Sequence, residues 1–492
     1  MSYYKKQHKL NPRLMGRGVL IVGGGLMQVP LIERALMHNM RVHVIDMNEN
    51  APGVALIPKE NFIHASIGDK MIAQRSLLRH LEREISKYQT QTRPLRQKNY
   101  HHELNSPPQN QGITATESPL SPETEPNVNN YGHIECVLTV GTDYTATVAI
   151  LNETLKSFYK KATLRIDQSA LLLPNVKHLS VAEAITASHK VQMRKRLAQY
   201  DIAQPKFFPL ETNMISSIER TVLEAEKFLG AYPYVLKPVD AMGARGVKRI
   251  EDRDVLLKSL SESLAYSHLK TLILEEYLSG AELSIDAIIA NGEVYVRGIA
   301  ERKIEYPPYF VETGHMMPCM NISEQEITVA ISQFKKAIRA LNIVTGAAKG
   351  DIKLSGGTAY IGEIAARLSG GFMSGWTTAL HLGVDMMQAI LEVSFALTPT
   401  TLDPLPESDR SVVCEWALLP GTGEIKEIAG ITAARAIPGV ADLFIHIKEG
   451  DTLHSPENNL MKAGNVIIQA ATLAENQQIF KRVNETLRFI FK

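Results

Sequence analysis

Residues 350–371 read GDIKLSGGTAYIGEIAARLSGG, and this stretch carries the strongest structural signal in the chain. If Ser355-Gly356-Gly357 form a three-residue loop, the stretch folds as an antiparallel hairpin. In that register Asp351 lies opposite Ile361, and Glu363 lies diagonal to Asp351 on the same face. The pattern therefore predicts two carboxylates that converge.

Carboxylate oxygens that share a face suit Mg²⁺ ions, which also bind phosphate oxygens, so Asp351 and Glu363 are the predicted metal ligands. Two Mg²⁺ ions are expected, with Mn²⁺ as an alternative cation. Arg367, four residues beyond Glu363, has a planar guanidinium that can bind a substrate carboxylate through two hydrogen bonds. The alternative is a surface hairpin that carries an ordinary Asp and an ordinary Glu.

A second signal lies upstream, in VLKPVDAMGARGV at residues 235–247. Lys237 ends a predicted strand, and a loop of small residues follows it. Such a lysine can place its charge on a phosphate while main-chain N–H groups of the loop close over the phosphate chain. A Walker loop is excluded because the order Gly-Lys-Ser/Thr is missing and a strand follows the loop. The alternative is an exposed hairpin tip with a solvated lysine.

A third stretch, LEEYLSGAELS, occupies residues 274–284. An extended connector of this kind can hydrogen-bond an adenine edge through its main chain. A carboxylate a few residues later can accept hydrogen bonds from ribose hydroxyls. Taken alone, these acids could equally be solvated residues of a surface connector.

The N-terminal part predicts a strand–helix–strand unit, with strands at 19–22 and 42–46, a helix at 30–37 and a turn at glycines 23–25. A glycine turn can hold the pyrophosphate of a dinucleotide, but Gln28 stands where that fingerprint has its third glycine. Dinucleotide binding is therefore a distant alternative, although Asp46 ends the second strand where a ribose-binding acid would lie.

Three domains are predicted along the chain. Residues 1–160 form an α/β domain, in which residues 89–130 are a disordered insertion because they combine prolines with Gln, Asn, Ser and Thr. Residues 161–403 form an α+β body with a smaller subdomain at about 200–274, and residues 404–492 form a small separate α+β domain.

Beyond residue 160 the pattern predicts a series of local elements. They are helical spacing at 181–200, strands at 234–237 and 272–275, a hairpin of 283–289 with 294–299 around Asn291-Gly292, a helix at 326–341 and a terminal helix from 473.

Composition limits the classes of partner. Of the 492 residues, 53 are Lys or Arg and 52 are Asp or Glu, so the net charge is +1 and no basic field attracts nucleic acid or anionic lipid. Small-molecule substrates are therefore expected, with no nucleic acid and no membrane partner. The three cysteines are far apart and form no C-x-x-C pair, which fits a reducing cytoplasm.

The order of these signals resembles the ATP-grasp superfamily, in which two α+β subdomains clamp ATP. The order begins with the lysine and small-residue loop, continues with E-E-Y-L-x-G-x-E and ends with D-x-K-L and E-I-A-A-R-L-S-G-G. The opening V-G-G-G-x-x-x-x-P-L-I-x-x-A is similar to the Rossmann-like domain that precedes the grasp in this family, which makes the glycine turn structural. The resemblance implies a pre-ATP-grasp domain, an ATP-grasp domain and a C-terminal ligase-associated domain.

Within the superfamily the chain most resembles the L-amino-acid ligases, which include the bacilysin dipeptide ligase and, more distantly, carnosine synthase. This resemblance rests on the E-x-A-A-R ending, on FVETGHMMP at residues 310–318 and on G-x-I-x-x-I-x-G at residues 423–430. Related ligases are often homodimers, so a homodimer is expected here.

The resemblance also implies a role for each matching residue. The ATP-binding residues would be Lys190, Lys237, Gly243 and Gly246 at the phosphates, Glu275 and Leu278 at adenine through the main chain, and Glu282 at the ribose. The metal ligands would be Asp351 and Glu363, the catalytic residues would be Arg367 at the carboxyl substrate and His315 in the amino-acid pocket, and the substrate amino group would meet Glu312.

The implied activity is that of an ATP-dependent carboxylate–amine ligase, which joins two amino acids through an acyl phosphate and releases ADP and phosphate. Two positions depart from the family pattern. Many of these enzymes have Asn where this chain has Ala365, and His189 replaces the Asp that often precedes the lysine at position 190. The alternatives are an ATP-grasp enzyme of purine or carbamoyl phosphate metabolism and an ATP-binding module without turnover.

Overall fold

The structure, a computed structural model, describes residues 9–103, 133–163, 176–211 and 218–492. The chain forms two compact units. The smaller unit comprises Leu10–Leu138 and Ile150–Val176, and the larger unit is formed mainly by Thr139–Ala149 and Lys177–Lys492. Within the described ranges, no helix combines the length and the apolar character needed to cross a bilayer.

The smaller unit is built on a parallel sheet of four strands. Its elements are β1 (Gly18–Val22), α1 (Val29–Met37), β2 (Arg41–Asp46), β3 (Phe62–His64), α2 (Lys70–Glu103) and β4 (Cys136–Leu138), and α3 (Thr145–Thr163) follows. The strand order is β3-β2-β1-β4. All five residues of β1 are buried, as expected for a central strand of a parallel sheet. The predicted strand–helix–strand unit is confirmed.

The glycine turn after β1 is held by main-chain and carboxylate contacts. The N–H of Gly24 donates to Oδ2 of Asp46 at 2.7 Å, and the N–H of Gly53 donates to the carbonyl of Gly24 at 2.7 Å. Asp46 therefore uses its carboxylate to stabilise the turn. This supports the structural interpretation of the glycines over dinucleotide binding.

Helix α2 overlaps the predicted insertion. Its sequence is rich in Lys, Arg, Leu and Gln, which favour helix formation, and the helix continues to Glu103. Residues 89–103 are therefore helical rather than disordered. Residues 104–130, the remainder of the predicted insertion, lie outside the described residues.

The larger unit begins with two helices and a small antiparallel sheet. These elements are α4 (Val181–Ser188), α5 (Lys190–Ala198), β5 (Phe207–Leu210), α6 (Ile218–Leu229), β6 (Tyr234–Pro238), β7 (Lys248–Ile250), α7 (Arg253–Ala265) and β8 (Leu272–Glu276). The strand order is β5-β8-β6-β7. The predicted helical region is confirmed as two helices, because His189 has an extended conformation that ends α4 and caps α5.

A mixed set of strands and helices then forms the centre of the unit. Its elements are β9 (Glu282–Ala290), β10 (Glu293–Glu305), β11 (Val311–Met317), α8 (Glu324–Ala340), β12 (Gly346–Ser355), β13 (Thr358–Ala365), a π-helix (Met373–Thr377), α9 (Thr378–Leu382) and α10 (Met386–Ser394). The predicted hairpin around Asn291-Gly292 is confirmed as β9 and β10. The predicted helix at 326–341 is confirmed as α8.

The C-terminal part extends this centre. Its elements are β14 (Val412–Leu418), β15 (Gly423–Ala429), α11 (Ile431–Arg435), β16 (Val440–Ile445), β17 (Thr452–Leu453), β18 (Gly464–Ala470), α12 (Leu473–Thr486) and β19 (Arg488–Phe491). Strands β14, β18 and β16 join an eight-stranded sheet in the order β13-β12-β9-β10-β11-β14-β18-β16, and β17-β15-β19 form a small sheet. Strand β14 pairs directly with β11, so the C-terminal strands continue the central sheet.

The two faces of the eight-stranded sheet differ because side chains alternate along each strand. On β9, the apolar residues Leu283, Ile285, Ala287 and Ile289 pack in one core cluster with Phe334 and Ala337 of α8. Glu282, Ser284 and Asp286 alternate with them and therefore lie on the opposite face. This opposite face is called the polar face below.

The register of the β12–β13 hairpin differs from the prediction. Ser355 pairs with Thr358, so the loop has the two residues Gly356 and Gly357 rather than three. Both glycines have positive φ, 55° and 78°, as a type I′ turn requires. A register shift next to Asp351 then places Glu363 directly opposite it rather than diagonal. The carboxylates converge as predicted, by a different register.

The turn gives a matched test of this register. We expect Gly356→Asn to leave the free energy of unfolding nearly unchanged, because Asn-Gly is favoured in type I′ turns. Gly356→Val should lower it by about 1–2 kcal/mol, because a branched L-residue resists positive φ. No atom lies within 4 Å of an added Cβ at this position, so crowding does not contribute. Urea denaturation measures both variants, and equal losses would contradict the turn.

Candidate active site

Charged residues of the polar face line up across neighbouring strands. The pairing of β12 with β9 sets Lys353 beside Glu282. The pairing of β10, β11 and β14 sets His315 between Arg302 and Glu415. Residues that are far apart in the sequence therefore form one continuous row.

Arg302 lies at the centre of this row and binds carboxylates from three strands. Its Nη1 donates to Glu282 Oε1 at 2.6 Å and lies 3.2 Å from Asp351 Oδ1, and its Nη2 donates to Glu312 Oε2 at 2.9 Å. Burial alone would lower the pKa of Arg302, but Asp351, Glu312 and Glu282 raise it well above its usual value. No motif in the sequence predicted a role for Arg302.

Asp351 and Glu363 face each other at the hairpin, as metal ligands would. Burial would raise the pKa of Asp351, but Arg302 and Lys349 outweigh burial and hold that pKa well below its usual range. Lys349 donates to Oδ2 of Asp351, while the buried Oδ1 lies 3.2 Å from Arg302 and makes no hydrogen bond among the described residues. A carboxylate oxygen that keeps lone pairs is a suitable ligand for a hard cation.

The residues at this position fit Mg²⁺. Among the described residues, no group of three His, Cys, Asp or Glu side chains could hold a metal ion by itself. Mg²⁺ is ordinarily bound by one or two carboxylates, with phosphate oxygens and waters as the other ligands. Asp351 and Glu363 supply two such carboxylates. Ala365 has no ligating atom, so no third ligand comes from that position.

Lys190 connects this carboxylate pair with the loop of residues 239–247, called the phosphate loop below. Its Nζ donates to the carbonyl of Ala241 at 2.9 Å and lies 3.3 Å from Glu363 Oε1. Burial would lower the pKa of Lys190, but Glu363 and Asp143 outweigh burial and raise it. The predicted phosphate and metal residues are therefore adjacent.

The phosphate loop joins β6 to β7. Gly243 and Gly246 both have positive φ, 66° and 67°, which favours glycine. A Cβ added at Gly246 would lie 2.8 Å from the Tyr266 ring, whereas Gly243 has space around it. Main-chain bonds from Val247 to Ala244 and from Arg245 to Met242 make the loop compact.

The side chain of Glu275 has contacts that the sequence did not predict, while its predicted main-chain role at adenine stays a prediction. Its buried carboxylate accepts from Arg194 Nε and from Lys237 Nζ, each at 2.7 Å, and β8 lies between β5 and β6. Burial opposes ionisation, but Arg194 and Lys237 outweigh it and lower the pKa of Glu275 to about 2. In the described part of the chain the N–H of Leu278 makes no hydrogen bond, so that group remains available to adenine.

Arg194 is a site residue that the sequence analysis missed. Besides its bond to Glu275, its Nη1 donates to the carbonyl of Ile361 at 2.6 Å and its Nη2 to the carbonyl of Gly362 at 2.7 Å. Arg194 thereby joins the β5-β8-β6-β7 sheet to the hairpin that carries Glu363. Four basic residues occur within α5, and nothing in their local pattern distinguishes Arg194 from its neighbours.

Arg367 already binds a carboxylate of this chain. Its Nε donates to Oδ1 of Asp143 at 2.8 Å, its Nη2 donates to the same oxygen, and its Nη1 donates to the carbonyl of Leu368. Burial would lower the pKa of Arg367, but Asp143 outweighs burial and raises it. No pattern in the sequence predicted a role for Asp143. The contact demonstrates that this guanidinium can bind a carboxylate.

The buried side chain of Asp286 anchors the loop that follows Arg367. Asp286 is fully buried, and its Oδ1 accepts from the N–H of Ser369 at 3.0 Å and from its hydroxyl at 2.7 Å. Burial raises the pKa of Asp286 to about 6 in spite of these two bonds. Asp286 therefore fixes the chain beside Arg367.

His315 and Glu312 lie together, as a substrate pocket would require. The Nε2 of His315 is 2.8 Å from the hydroxyl of Thr377 in the π-helix, and its Nδ1 lies 3.5 Å from Glu415 and 3.8 Å from Glu312. Burial would raise the pKa of Glu312, but Arg302 and Lys462 outweigh it and lower that pKa to about 2. Glu312 therefore stays ionised at neutral pH.

Two segments of the chain match models of known families. Residues 187–371 match the ATP-grasp domain, and residues 416–492 match the L-amino acid ligase C-terminal domain 2. The first segment contains every residue predicted to bind ATP, metal or substrate.

Solved structures share the fold of the chain. The L-amino acid ligase from Bacillus licheniformis has a TM-score of 0.66 at 17% identity, covering 99% of this chain and 100% of that one. The carboxyaminoimidazole ribonucleotide synthase from Aspergillus clavatus, complexed with ATP, has a TM-score of 0.62 at 16% identity, covering 96% and 98%. The carbamoyl phosphate synthase large chain from Archaeoglobus fulgidus is 25% identical over 191 residues, which are 39% of this chain. This chain spans only 17% of the length of that relative.

The ion pairs of Glu275 predict a pH dependence of stability. Its pKa is about 2 in the folded protein against an ordinary value of 4.5, so its stabilisation is complete above pH 4.5 and is lost as the pH falls toward 2. Glu275→Gln should lower the free energy of unfolding at pH 7 by about 3–5 kcal/mol, because Arg194 loses its partner. It should also flatten the acid-side decline measured by denaturation at several pH values.

The neighbouring carboxylate supplies the control. Glu276 accepts only a hydrogen bond from the main chain of Lys206, at 2.8 Å, so Glu276→Gln keeps an acceptor there. It should retain the wild-type pH profile. An unchanged profile in Glu275→Gln would contradict the buried ion pairs.

Proposed function

Starting from a chain with an ATP-grasp domain and an L-amino acid ligase C-terminal domain 2, we propose that the protein is an ATP-dependent carboxylate–amine ligase. The carboxylate of one amino acid attacks the γ-phosphate of ATP and forms an acyl phosphate. The amino group of a second amino acid then displaces phosphate and leaves an amide. The observation that carries the proposal is the contact of Lys190 with both the phosphate loop and Glu363.

The phosphate side of the site combines two lysines with a loop of small residues, which suits the phosphates of ATP. Lys190 and Lys237 neutralise phosphate charge, while the N–H groups of the phosphate loop close over the phosphate chain. The free N–H of Leu278 donates to the adenine edge. Glu282, which already binds Arg302, retains lone pairs for a ribose hydroxyl.

The carboxylate substrate binds at Arg367. Because Asp143 now bonds to this guanidinium, the substrate carboxylate shares or replaces that contact. Mg²⁺ held by Asp351 and Glu363 would neutralise the charge of the transferred phosphoryl group. The protein itself contributes positioning and electrostatic stabilisation, which carry most of the catalysis in phosphoryl transfer.

The amine substrate binds on the side of His315. Glu312 stays ionised and attracts an ammonium group, and Glu415 adds a second carboxylate beside the same imidazole. An acidic pocket beside the acyl phosphate would select amines that arrive as cations. Amino acids carry such a group.

Consumption of ATP also fits the cytoplasmic location predicted from the sequence. The homodimer stays a prediction.

The second candidate is an ATP-grasp step of purine or carbamoyl phosphate metabolism. Its support is the similarity to carbamoyl phosphate synthase large chains over 39% of this chain. The match to the L-amino acid ligase C-terminal domain 2 favours the amino-acid ligase over this candidate.

The direct experiment measures release of ADP and phosphate by the full chain with Mg²⁺-ATP across pairs of the twenty amino acids, with mass spectrometry of the products. A pair-dependent release with a dipeptide mass supports the proposal and identifies both substrates. Release that depends on bicarbonate, ornithine or a phosphorylated amine instead supports the second candidate. ATP binding without turnover on any amine indicates a binding module.

The metal assignment is tested by Glu363→Gln. We expect ADP formation to fall by about 100-fold or more, because a ligand of the charge-neutralising cation is lost. Binding of Mn²⁺, measured by electron paramagnetic resonance in the presence of ATP, should weaken in parallel. Asp403→Asn changes an exposed acid of the same unit and should leave both quantities unchanged. Near-normal ADP formation by Glu363→Gln would refute the assignment.

A further inference from the structure

A short segment of the C-terminal part lies against the candidate site. It comprises residues 457–462, between β17 and β18, and is called the clasp below. The N–H of Asn459 donates to the carbonyl of Gly243 at 3.0 Å. The side-chain oxygen of the same residue accepts from the N–H of Glu312 at 2.8 Å. One asparagine therefore connects the phosphate loop with β11.

The clasp has its own internal structure. The side-chain oxygen of Asn458 accepts from the N–H of Leu460 at 3.0 Å, and its carbonyl accepts from the N–H of Met461. Asn458 is buried, whereas Leu460 is exposed. These bonds hold the main chain around Asn459 in place before any ligand binds, so its two polar groups are pre-positioned.

Tyr309 links the clasp to the strand that follows the phosphate loop. Burial raises the pKa of the Tyr309 phenol, and the nearby carboxylate of Glu457 raises it further against the opposing effect of Lys248. The ammonium of Lys248, at the start of β7, lies 5.3 Å from the centre of the Tyr309 ring. Tyr309 therefore has neighbours on both sides, independently of Asn459.

On the other side, the clasp acts on Glu312 through charge and through the main chain. Lys462 lowers the pKa of Glu312 together with Arg302. The β10–β11 ladder is irregular at this point, with a register shift between Lys303 and Ile304. An N–H group at an interrupted ladder needs another acceptor, and Asn459 supplies it.

We propose that Asn459 is a positioning residue that couples closure of the phosphate loop over a nucleotide to the ordering of Glu312. A nucleotide that favours the closed loop favours the bond from Asn459 to Gly243, and the same residue then holds β11. By linkage, ordering at Glu312 in turn favours nucleotide binding. The inference rests on the proposed function, since Glu312 is the group proposed to meet the amine.

Hydrogen exchange followed by mass spectrometry tests this coupling on the full chain, with and without Mg²⁺ and the nonhydrolysable analogue AMP-PNP. In the wild type we expect the nucleotide to slow exchange in residues 239–247 and, by about tenfold, in residues 310–317. In Asn459→Ala only residues 239–247 should respond. A purely structural role would speed exchange equally with and without nucleotide.

Ser455→Ala is the matched control, because Ser455 is exposed and precedes the clasp in the same connection. It should respond as the wild type does. If residues 310–317 respond in Asn459→Ala, or fail to respond in the wild type while residues 239–247 do, the coupling is refuted and the ligase proposal stands. If residues 239–247 do not respond in the wild type, nucleotide binding itself fails, and both proposals fall.

Discussion

A charge that is removed from water must meet an opposite charge, and this constraint organises the larger unit. Arg302 illustrates it, because its buried guanidinium contacts Glu282, Glu312 and Asp351 from three strands. Loss of one partner would leave an uncompensated charge in the interior. The pairing therefore fixes the relative positions of β9, β11 and β12 on the polar face. It also lowers the pKa of two of these carboxyl groups, Asp351 and Glu312, in spite of their burial.

The same constraint links the two larger sheets of this unit. Glu275 is held between Arg194 and Lys237, and Arg194 also binds the carbonyls of Ile361 and Gly362. Those carbonyls lie at the register shift that brings Glu363 opposite Asp351. The register shift in the β12–β13 hairpin therefore positions the predicted metal ligands. It also supplies the carbonyls through which Arg194 connects the hairpin with the β5-β8-β6-β7 sheet. The C-terminal part completes the arrangement, because β14 places Glu415 beside His315.

Local signals allowed much of the fold to be predicted. The Asn-Gly and Gly-Gly turns of the two hairpins, the short apolar runs of β6 and β8 and the spacing of α8 each depend on neighbours in the sequence. The predicted loop length at Gly356-Gly357 was wrong because an alternating pattern has a period of two and does not fix where a turn begins. The pairing of β14 with β11 is non-local, so the sequence did not predict that the C-terminal strands continue the central sheet.

The order of the lysine, the small-residue loop, the acidic connector and the carboxylate hairpin is visible in the sequence, and this order predicts the ATP-grasp fold. Which charges meet depends on the folded chain. Arg194, Arg302 and Asp143 have partners on distant segments of the chain, and the pair of Arg367 with Asp143 spans 224 residues. Coulombic interactions depend on distance in space, which a strand's own residues do not encode, so these contacts become visible only when the sheets assemble.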